Sequence, residues 1–394
     1  MKRRTLLQSL AALPLGGGAT RLWAAPSTST RLLLVFLRGG YDAANLLVPI
    51  SSPFYYEARP QIAVPRPSTD LASALPLNSD WGLHPALRDS IFPMYSAGQA
   101  SFVPFAGTHD LSRSHFETQD SVELGQALEG SRNYRSGFLN RLATTLGGKG
   151  AMTFTEQLPL IMQGDLQVPN VALRSLAKPS LDARQSSIIS TMYRNTDLNA
   201  NVQQGFVVRD EVLRELNAEM TAASRNAISS KGFELEAHRI ATLMKGKYNI
   251  GFVDVGGWDT HVAQGGAAGY LAGRLEELGR GLATFAREMQ DAWRDTVTVV
   301  VSEFGRTLRE NGNRGTDHGH GTVYWVLGGG IRGGQVLGEQ LAVSSASLFQ
   351  NRDFPVLNEY RAVLGGLFAR MYGLNAAQIE HVFRGASARD IGLI

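Results

Sequence analysis

The sequence predicts an α/β protein built on a mostly parallel central sheet. Five short apolar runs, each followed by Gly, Asp, Glu or His, have the composition of strands buried on both faces of such a sheet. These runs are residues 31–37, 101–105, 248–255, 296–302 and 323–327. Between two of them, residues 271–293 carry large apolar side chains every three or four positions, which predicts an amphipathic helix. Strand, helix and strand in that order imply a right-handed crossover between parallel strands.

The remaining elements follow from the same patterns. Strand signals are weak over residues 130–232, and a structureless loop of that length is uncommon in a compact domain, so the sequence predicts a helical insertion or cap there. Within it, residues 210–227 favour a helix, and residues 360–372 predict an amphipathic helix near the end. The predicted organisation is one α/β domain over residues 26–394, preceded by a separate segment over residues 1–25.

That first segment is typical of a twin-arginine export signal. Arg3 and Arg4 precede a mildly apolar stretch that ends near Leu15, and small residues lead to Ala25. The apolar stretch is much shorter than the ~20 residues that a membrane-spanning helix needs. We therefore expect the twin-arginine translocase to be a partner during export, the mature chain to be periplasmic or secreted, and no membrane span to remain in it.

Composition excludes several kinds of function. The chain has no cysteine, which removes disulfides, thiolate nucleophiles and cysteine-based zinc sites. Its net charge is +3, from 38 basic and 35 acidic residues, but four of the basic residues lie in the predicted signal. The mature chain is then nearly neutral, and nucleic-acid binding is not expected because it normally requires a clustered basic face.

Histidine and aspartate residues follow two of the predicted strands. Asp259 and His261 come after the run 248–255, and a second glycine-rich group lies ~55 positions further along; it consists of Asp317, His318 and His320. Ligands of open α/β sheets bind outside the carboxyl ends of the strands, so the two groups can converge. Carboxylate and imidazole are the ligands that zinc or manganese takes when cysteine is absent. The pattern predicts a metal site or an acid/base site.

Two further charged residues lie at the exit of the run 296–302. Glu303 is a candidate metal ligand, and Arg306 is a candidate catalytic residue that binds an oxyanion through two N–H groups. The alternatives are an acid in the first turn of a helix for Glu303 and a solvated surface charge for Arg306.

The turn after the first predicted strand contains Arg38 and Asp42. Two glycines between them allow a tight turn, so Asp42 could hold a cation above the sheet and Arg38 could bind an anion. The alternative for Asp42 is that it caps the following helix.

A third group lies after the run 101–105, where a helix is predicted to begin. Ser114 is a candidate nucleophile, with His115 as a catalytic candidate and Arg113 as an anion-binding candidate beside it. Free N–H groups and the helix dipole would attract a phosphate or sulfate ester there. The alternative is an ordinary helix start, with Ser114 and Glu117 forming a capping box.

Five motifs together resemble the bacterial family catalogued as domain of unknown function 1501, whose members typically carry twin-arginine signals. The motifs are residues 34–42 (LVFLRGGYD), 112–116 (SRSHF), 256–261 (GGWDTH), 302–307 (SEFGRT) and 315–321 (GTDHGHG). That family is in turn distantly similar to the alkaline phosphatase and sulfatase superfamily. The superfamily resemblance implies a three-layer α/β/α fold with one or two divalent metals, whether zinc, manganese, calcium or magnesium, beside a Ser or Thr nucleophile.

The resemblance also implies roles for single residues. Asp42 would be the first-strand ligand, Ser114 the nucleophile, Asp259 and His261 ligands of one metal, Glu303 the strand-exit ligand, and His318 or His320 the last ligand. The chain departs from the superfamily pattern in the spacing of Asp259 and His261 and in having Glu303-Phe304 where Asp-His is usual. Those departures imply one metal instead of two, a ligand supplied by the loop 317–320, or a site that no longer turns over.

The sequence therefore predicts an exported, metal-dependent hydrolase of phosphate or sulfate esters. Its substrate would be a small anionic ester or a polysaccharide. The alternative is a catalytically inactive binding or structural protein on the same fold, because a fold does not fix a function.

Overall fold

The computed structural model describes residues 30–148, 150–173, 183–223 and 232–394. The predicted export signal lies outside the described residues. The strands are β1 Arg31–Leu37, β2 Leu47–Pro49, β3 Leu75–Pro76, β4 Trp81–Leu83, β5 Ala100–Gly107, β6 Ala151–Thr153, β7 Ile250–Val255, β8 Thr296–Ser302, β9 Thr322–Gly328, β10 Gln335–Val336 and β11 Asn358–Glu359. The helices are α1 Ala43–Leu46, α2 Pro53–Ala58, α3 Ile91–Ser96, α4 His115–Leu124, α5 Phe138–Thr145, α6 Ala183–Tyr193, α7 Asn199–Ala223, α8 Gly232–Gly246, α9 Tyr270–Met289, α10 Tyr360–Tyr372 and α11 Ala376–Val382.

The central sheet has the strand order β10-β5-β9-β8-β1-β7-β6, and β11 also pairs with β5. Among the described strands of this sheet, β9 alone runs against the others, since it pairs antiparallel with both β8 and β5. The mostly parallel sheet predicted from the sequence is confirmed. One edge of the sheet therefore collects the ends of β1, β5, β7 and β8 together with the start of β9, and we call it the carboxyl edge.

Both faces of the sheet are covered by helices. Alternate residues of β1 enter two separate cores: Leu33 and Val35 pack with α8 and α9, while Leu34 and Phe36 pack with α5, α10 and α11. This two-sided burial explains why the strand is apolar at every position instead of at every second one. The three-layer α/β/α fold is confirmed.

The predicted elements match the structure most closely where an apolar run or a period is long. Residues 31–37, 296–302 and 360–372 form β1, β8 and α10 with the predicted bounds. Helix α9 ends earlier than predicted, because Gln290 adopts a left-handed φ of 51° and the chain continues as a 3₁₀-helix over Gln290–Asp295.

Residues 130–232 contain the whole of α5, α6 and α7, in line with the helices predicted there, and also β6. Strand β6 pairs in parallel with β7, so the beginning of the region belongs to the central sheet. A strand of three residues is too short to leave a periodic signal in the sequence. The boundary of a helical insertion stays a prediction.

No described helix is both long and apolar enough to cross a bilayer.

A candidate metal centre at the carboxyl edge

Three side chains meet above the carboxyl edge. His115 begins α4 after β5, Asp259 lies in the loop after β7, and His318 lies in the loop that joins β8 to β9. One ligand atom from each lies within 4.8 Å of the others. Asp259 Oδ2 is 3.5 Å from His115 Nε2, and Asp259 Oδ1 is 3.4 Å from His318 Nε2. This convergence is the minimum needed for a shared metal ion.

His261 adds a third imidazole to the group. Its Nε2 atom lies 3.0 Å from Asp259 Oδ1 and 3.1 Å from His318 Nε2. All three imidazoles thus direct the same ring atom, Nε2, toward the carboxylate of Asp259. We call these four residues, His115, Asp259, His261 and His318, the His/Asp cluster.

The opposite nitrogen of each ring contacts an oxygen atom. His115 Nδ1 is 2.8 Å from Glu303 Oε1, His318 Nδ1 is 2.8 Å from the carbonyl of Arg113, and His261 Nδ1 is 3.3 Å from Asp317 Oδ1. These contacts favour the tautomer in which Nδ1 donates its N–H and Nε2 keeps a lone pair. Metal-ligating histidines have this arrangement.

One polar atom in the cluster has no partner. His115 Nε2 is inaccessible to solvent and makes no hydrogen bond, although buried polar atoms are normally paired. An orphaned, buried lone pair beside a carboxylate fits a metal ligand. The donor set and this atom together make the cluster a candidate divalent-metal centre.

The pKa shifts in the cluster favour a charged Asp259 and a neutral His318, whereas that of His115 goes in the opposite direction. Burial is the largest single influence and would raise the pKa of Asp259, but the hydrogen bond and charge of Arg306 together with the nearby His261 and His115 lower it. Burial lowers the pKa of His318, which leaves its Nε2 lone pair available near neutral pH. The hydrogen bond to Glu303 raises the pKa of His115.

Glu303 supports the cluster and does not reach it as a ligand. Its side chain is fully buried, and Oε1 accepts hydrogen bonds at 2.8 Å from His115 Nδ1, Gln119 Nε2 and the backbone N–H of Gly39. Oε2 accepts one from Ser302 Oγ at 2.9 Å. Because both oxygens are engaged, the structure gives Glu303 the task of orienting His115 in place of the predicted ligation.

Arg306 also lies beneath the cluster. Its guanidinium is fully buried and donates to Asp259 Oδ1 and to backbone carbonyls. The carbonyls belong to Gly39, Gly40, Trp258 and Thr316. The remaining donor, on Nη1, faces His261 Nε2 at 3.4 Å. Four of its five donors have oxygen acceptors in the protein, so Arg306 cannot bind an oxyanion through two N–H groups as predicted, and it is not a solvated surface charge.

The structure does not bring Asp42 into the cluster. Its carboxylate is buried and pairs with Arg59, at 2.5 Å from Nη1 and 2.9 Å from Nη2. Gln264 donates a further hydrogen bond at 2.5 Å. Asp42 does precede α1, but its side chain makes no capping hydrogen bond. A carboxylate held in this way is not free to bind a cation.

The two predicted anion-binding arginines are paired with protein groups. Arg38 contacts Asp254 at 2.6 Å and Glu123 at 2.8 Å. Arg113 contacts the buried carboxylate of Asp353 at 2.7 Å. Arg113 contributes to the site through its backbone instead, since a left-handed φ of 52° accompanies the carbonyl that binds His318.

The other predicted residues lie around the cluster. Ser114 is the residue before His115; it is half-buried, and its side chain makes no capping hydrogen bond, so the alternative capping box is not formed. Asp317 is exposed and orients His261. His320 is buried outside the cluster, with its ring 5.0 Å from that of Phe349, and burial lowers its pKa to about 4. Of the two alternatives for the last ligand, the structure brings His318 to the cluster.

The sequence matches the family described as "Protein of unknown function (DUF1501)" over residues 29–383. The chain belongs to this family. No curated protein matches it. Among solved structures, it is similar to a protein in the alkaline phosphatase superfamily from Vibrio parahaemolyticus, at 11% identity and a TM-score of 0.39, with 88% of this chain and 68% of that chain covered. It is also similar to Ps i-CgsB in complex with k-i-k-neocarrahexaose, at 10% identity and a TM-score of 0.37, with 94% and 76% covered.

Glycines in two of the five motifs allow the loops of the site to approach closely. Gly39 has a φ of 123°, and a Cβ atom there would lie 2.7 Å from the backbone nitrogen of Asp259. At Gly315, a Cβ atom would lie 2.3 Å from the carbonyl oxygen of His261. A side chain at Gly39 would therefore push the turn after β1 away from the loop of Asp259, and one at Gly315 would push the two ligand loops apart.

Sequence reasoning missed several residues that shape the site of this DUF1501 chain. Phe304 places its ring 4.9 Å from that of His115 and 5.1 Å from that of His318, so it forms an apolar floor. Gln119 lies one helical turn after His115 on α4 and binds Glu303. The spacing of four residues between His115 and Gln119 is the signal that could have indicated a shared helix face.

Proposed function

We propose that the protein is an exported hydrolase of phosphate or sulfate esters that depends on a single divalent metal. The observation that carries the proposal is the His/Asp cluster, in which three Nε2 atoms and one carboxylate face each other. Each imidazole is also fixed at Nδ1 by an oxygen acceptor. Such outer contacts typically change metal affinity by about 10- to 100-fold when removed, which is why they support binding of a metal and not only packing.

The donor set narrows the choice of metal. Three imidazole nitrogens and one carboxylate suit zinc, manganese or another first-row transition ion, whereas calcium and magnesium prefer oxygen ligands. Of the four metals that the superfamily resemblance implies, zinc and manganese therefore fit the cluster better than calcium and magnesium. When bound, such an ion lowers the pKa of a water or hydroxyl and neutralises the oxygens of an ester.

The residues of the site would have three separate roles: charge, orientation of the imidazoles, and attack on the ester. Asp259 stays ionised because Arg306 holds it, and so it supplies the negative charge of the site. Glu303 and the Arg113 carbonyl hold His115 and His318 at fixed ring orientations. Ser114 precedes α4 with a hydroxyl that is not used as a cap, beside backbone N–H groups that favour an anion. We assign Ser114 as the nucleophile.

One observation favours the second candidate function, a metal-binding protein without turnover. The three arginines predicted to bind an anion or an oxyanion, Arg38, Arg113 and Arg306, all pair with protein acceptors. Hydrolysis of an anionic ester benefits from a guanidinium that is free to bind charge developing in the transition state. A site that lacks such a group could bind an anion through its metal alone.

Metal content and turnover together test the proposal. We expect host-purified wild-type protein to contain about one equivalent of zinc or manganese and to cleave an aryl phosphate or an aryl sulfate. His115→Gln should lose most of the bound metal and most of the turnover, because it removes Nε2 from the cluster. His381→Gln is the matched control, since His381 is an exposed histidine on α11 outside the cluster. Elemental analysis and a chromogenic assay supply the two readouts.

The outcomes separate the two candidates. Metal bound by the wild type but absent from His115→Gln, without turnover of either ester, would support the binding protein. Equal metal content in wild type and His115→Gln would show that the cluster is not a metal centre and would contradict the proposed hydrolase.

Export is the remaining part of the proposal and rests on Arg3 and Arg4 ahead of the apolar stretch. Replacing both with lysine keeps the charge but removes the guanidinium pair. The precursor should then stay in the cytoplasm. Undiminished accumulation of the double variant outside the cytoplasm would contradict the assignment.

A further inference from the structure

Gln264 connects two of the three segments that carry the His/Asp cluster, the loop of Asp259 and His261 and the loop of His318. It lies three residues after His261, and its side chain is fully buried. Its Oε1 atom accepts hydrogen bonds from Thr260 Oγ1 at 2.8 Å and from Thr316 Oγ1 at 3.0 Å. Its Nε2 atom donates to Asp42 Oδ2 at 2.5 Å. A single amide therefore joins three segments that are distant in sequence.

Both hydroxyl donors lie next to ligands. Thr260 stands between Asp259 and His261, and Thr316 stands two residues before His318. The backbones of the two loops are also paired: Thr316 N–H donates to the Thr260 carbonyl at 3.1 Å, and Gln264 N–H donates to the Arg314 carbonyl at 2.9 Å. The side chain of Gln264 thus acts at the point where the loops already approach each other.

Asp42 anchors this amide from below. Arg59, which is fully buried, pairs with Asp42 and also donates to the carbonyls of Thr307 at 3.0 Å and Leu308 at 2.6 Å. Those carbonyls belong to the same loop that carries His318. The network therefore reaches that loop twice, and in a buried site each of its hydrogen bonds is electrostatically stronger than in water.

We infer that Gln264 is a positioning residue that sets the distance between the ligands Asp259 and His261 on one loop and His318 on the other. The inference rests on the proposed metal centre. An amide is required because one atom must accept two hydroxyl hydrogens while another donates to a carboxylate. Leucine can do neither, and glutamate would place a second carboxylate against Asp42.

The test uses the full mature protein and Zn²⁺ as the probe. Gln264→Leu should weaken Zn²⁺ binding, measured by competition with a chromogenic chelator, by about tenfold or more, as loss of an outer-shell contact typically does. In metal-free protein, amide hydrogen exchange over residues 258–262 and 314–319 should become faster, while β1 and β8 remain protected. Thr316→Val, which removes one donor at similar volume, should shift both readouts in the same direction by less, and it serves if Gln264→Leu does not fold.

Gln126→Leu is the matched control. Gln126 is also a buried glutamine that binds a loop, through the carbonyls of Asn133 and Ser136, but it lies outside the cluster. It should leave Zn²⁺ affinity unchanged. Equal losses of affinity in the two glutamine variants, or unchanged affinity in Gln264→Leu and Thr316→Val, would overturn the inference. Wild-type protein that binds neither Zn²⁺ nor Mn²⁺ would overturn the proposed function, and the exchange data on metal-free protein would still decide whether Gln264 holds the loops together.

Discussion

Two ion pairs of the same composition lie near the carboxyl edge, Arg59–Asp42 and Arg306–Asp259. Both arginine side chains are fully buried, but the carboxylates differ: that of Asp42 is 1% exposed and that of Asp259 is 45% exposed. Asp42 receives hydrogen bonds on both oxygens from Arg59 and Gln264. Asp259 is bound by Arg306 through Oδ1, and its Oδ2 faces the unpaired Nε2 of His115 at 3.5 Å.

The comparison shows that residue type alone does not separate a ligand from a support. Both aspartates were candidate metal ligands, and both follow a strand at the same edge. They differ in whether a carboxylate oxygen is still available to a metal once the hydrogen bonds of the fold are made. Asp259 has such an oxygen, Oδ2, whereas both oxygens of Asp42 already accept hydrogen bonds. The same criterion assigns Glu303 to the supporting group.

The largest expected effect is on the buried pair. Asp42→Asn leaves the charge of Arg59 buried without its counter-ion, which should lower the free energy of unfolding by about 3–5 kcal/mol. Asp259→Asn also removes the counter-ion of a buried guanidinium, but the carboxylate it removes is 45% exposed and partly solvated, so its cost in chelator should be smaller. Urea unfolding in the presence of chelator measures both. Equal losses in the two variants would show that the pairs are energetically alike and that exposure does not separate them.

How much of the fold could be predicted from the sequence depends on how far apart in sequence the interacting residues are. Strands β1 and β8 were predicted with their observed bounds, because burial on both faces makes every residue of the strand apolar. Strand β6 was missed because three residues carry no period. Long-range pairing decides whether such a short segment joins a sheet, and the local sequence does not record that pairing.

The candidate site shows the same limit. Asp259 and His318 were predicted as ligands because each lies in a short motif that contains aspartate, histidine and glycine together. The role of Glu303 depends on the N–H of Gly39, which is 264 positions away, and that of Asp42 depends on Arg59, which lies in a Pro-rich segment without any signal. The sequence therefore indicated the chemistry of the site and not the division between ligands and supports.

The second prediction contrasts a buried imidazole with those of the cluster. His84 is fully buried near Asp42, where its Nδ1 accepts from the N–H of Ala86 and its Nε2 contacts the Gly266 carbonyl at 3.0 Å. Burial lowers its pKa to about 4, although the carboxylate of Asp42 opposes the shift. The unfolded chain therefore binds a proton at His84 more readily than the folded chain does. The contribution of the neutral imidazole to the free energy of unfolding is fully present above pH ~6.5 and is lost as the pH falls toward 4, by about 3 kcal/mol in total.

The pH dependence of unfolding in wild type and His84→Gln checks this. The difference between the two free energies of unfolding should shrink by roughly that amount between pH 7 and pH 4. The exposed His381 provides the control, because His381→Gln should leave the pH profile unchanged. A difference between wild type and His84→Gln that stays constant over this range would mean that His84 is not held neutral in the fold.

The smallest expected change in stability concerns Ser114, and it separates a nucleophile from a helix cap. Ser52 and Ser114 both precede a helix, but only the side chain of Ser52 accepts a capping hydrogen bond, from Tyr55 N–H at 3.2 Å. Ser52→Ala should therefore cost at least about 1 kcal/mol, since it also removes the buried hydrogen bond from Ser52 Oγ to the Val343 carbonyl, whereas Ser114→Ala should cost about 0.3 kcal/mol. If Ser114 attacks the ester, Ser114→Ala should nevertheless abolish most turnover while bound metal is retained, and Ser52→Ala should keep it. Thermal unfolding, elemental analysis and the chromogenic assay on both variants give the comparison. Turnover within a few-fold of wild type in Ser114→Ala would exclude it as the nucleophile.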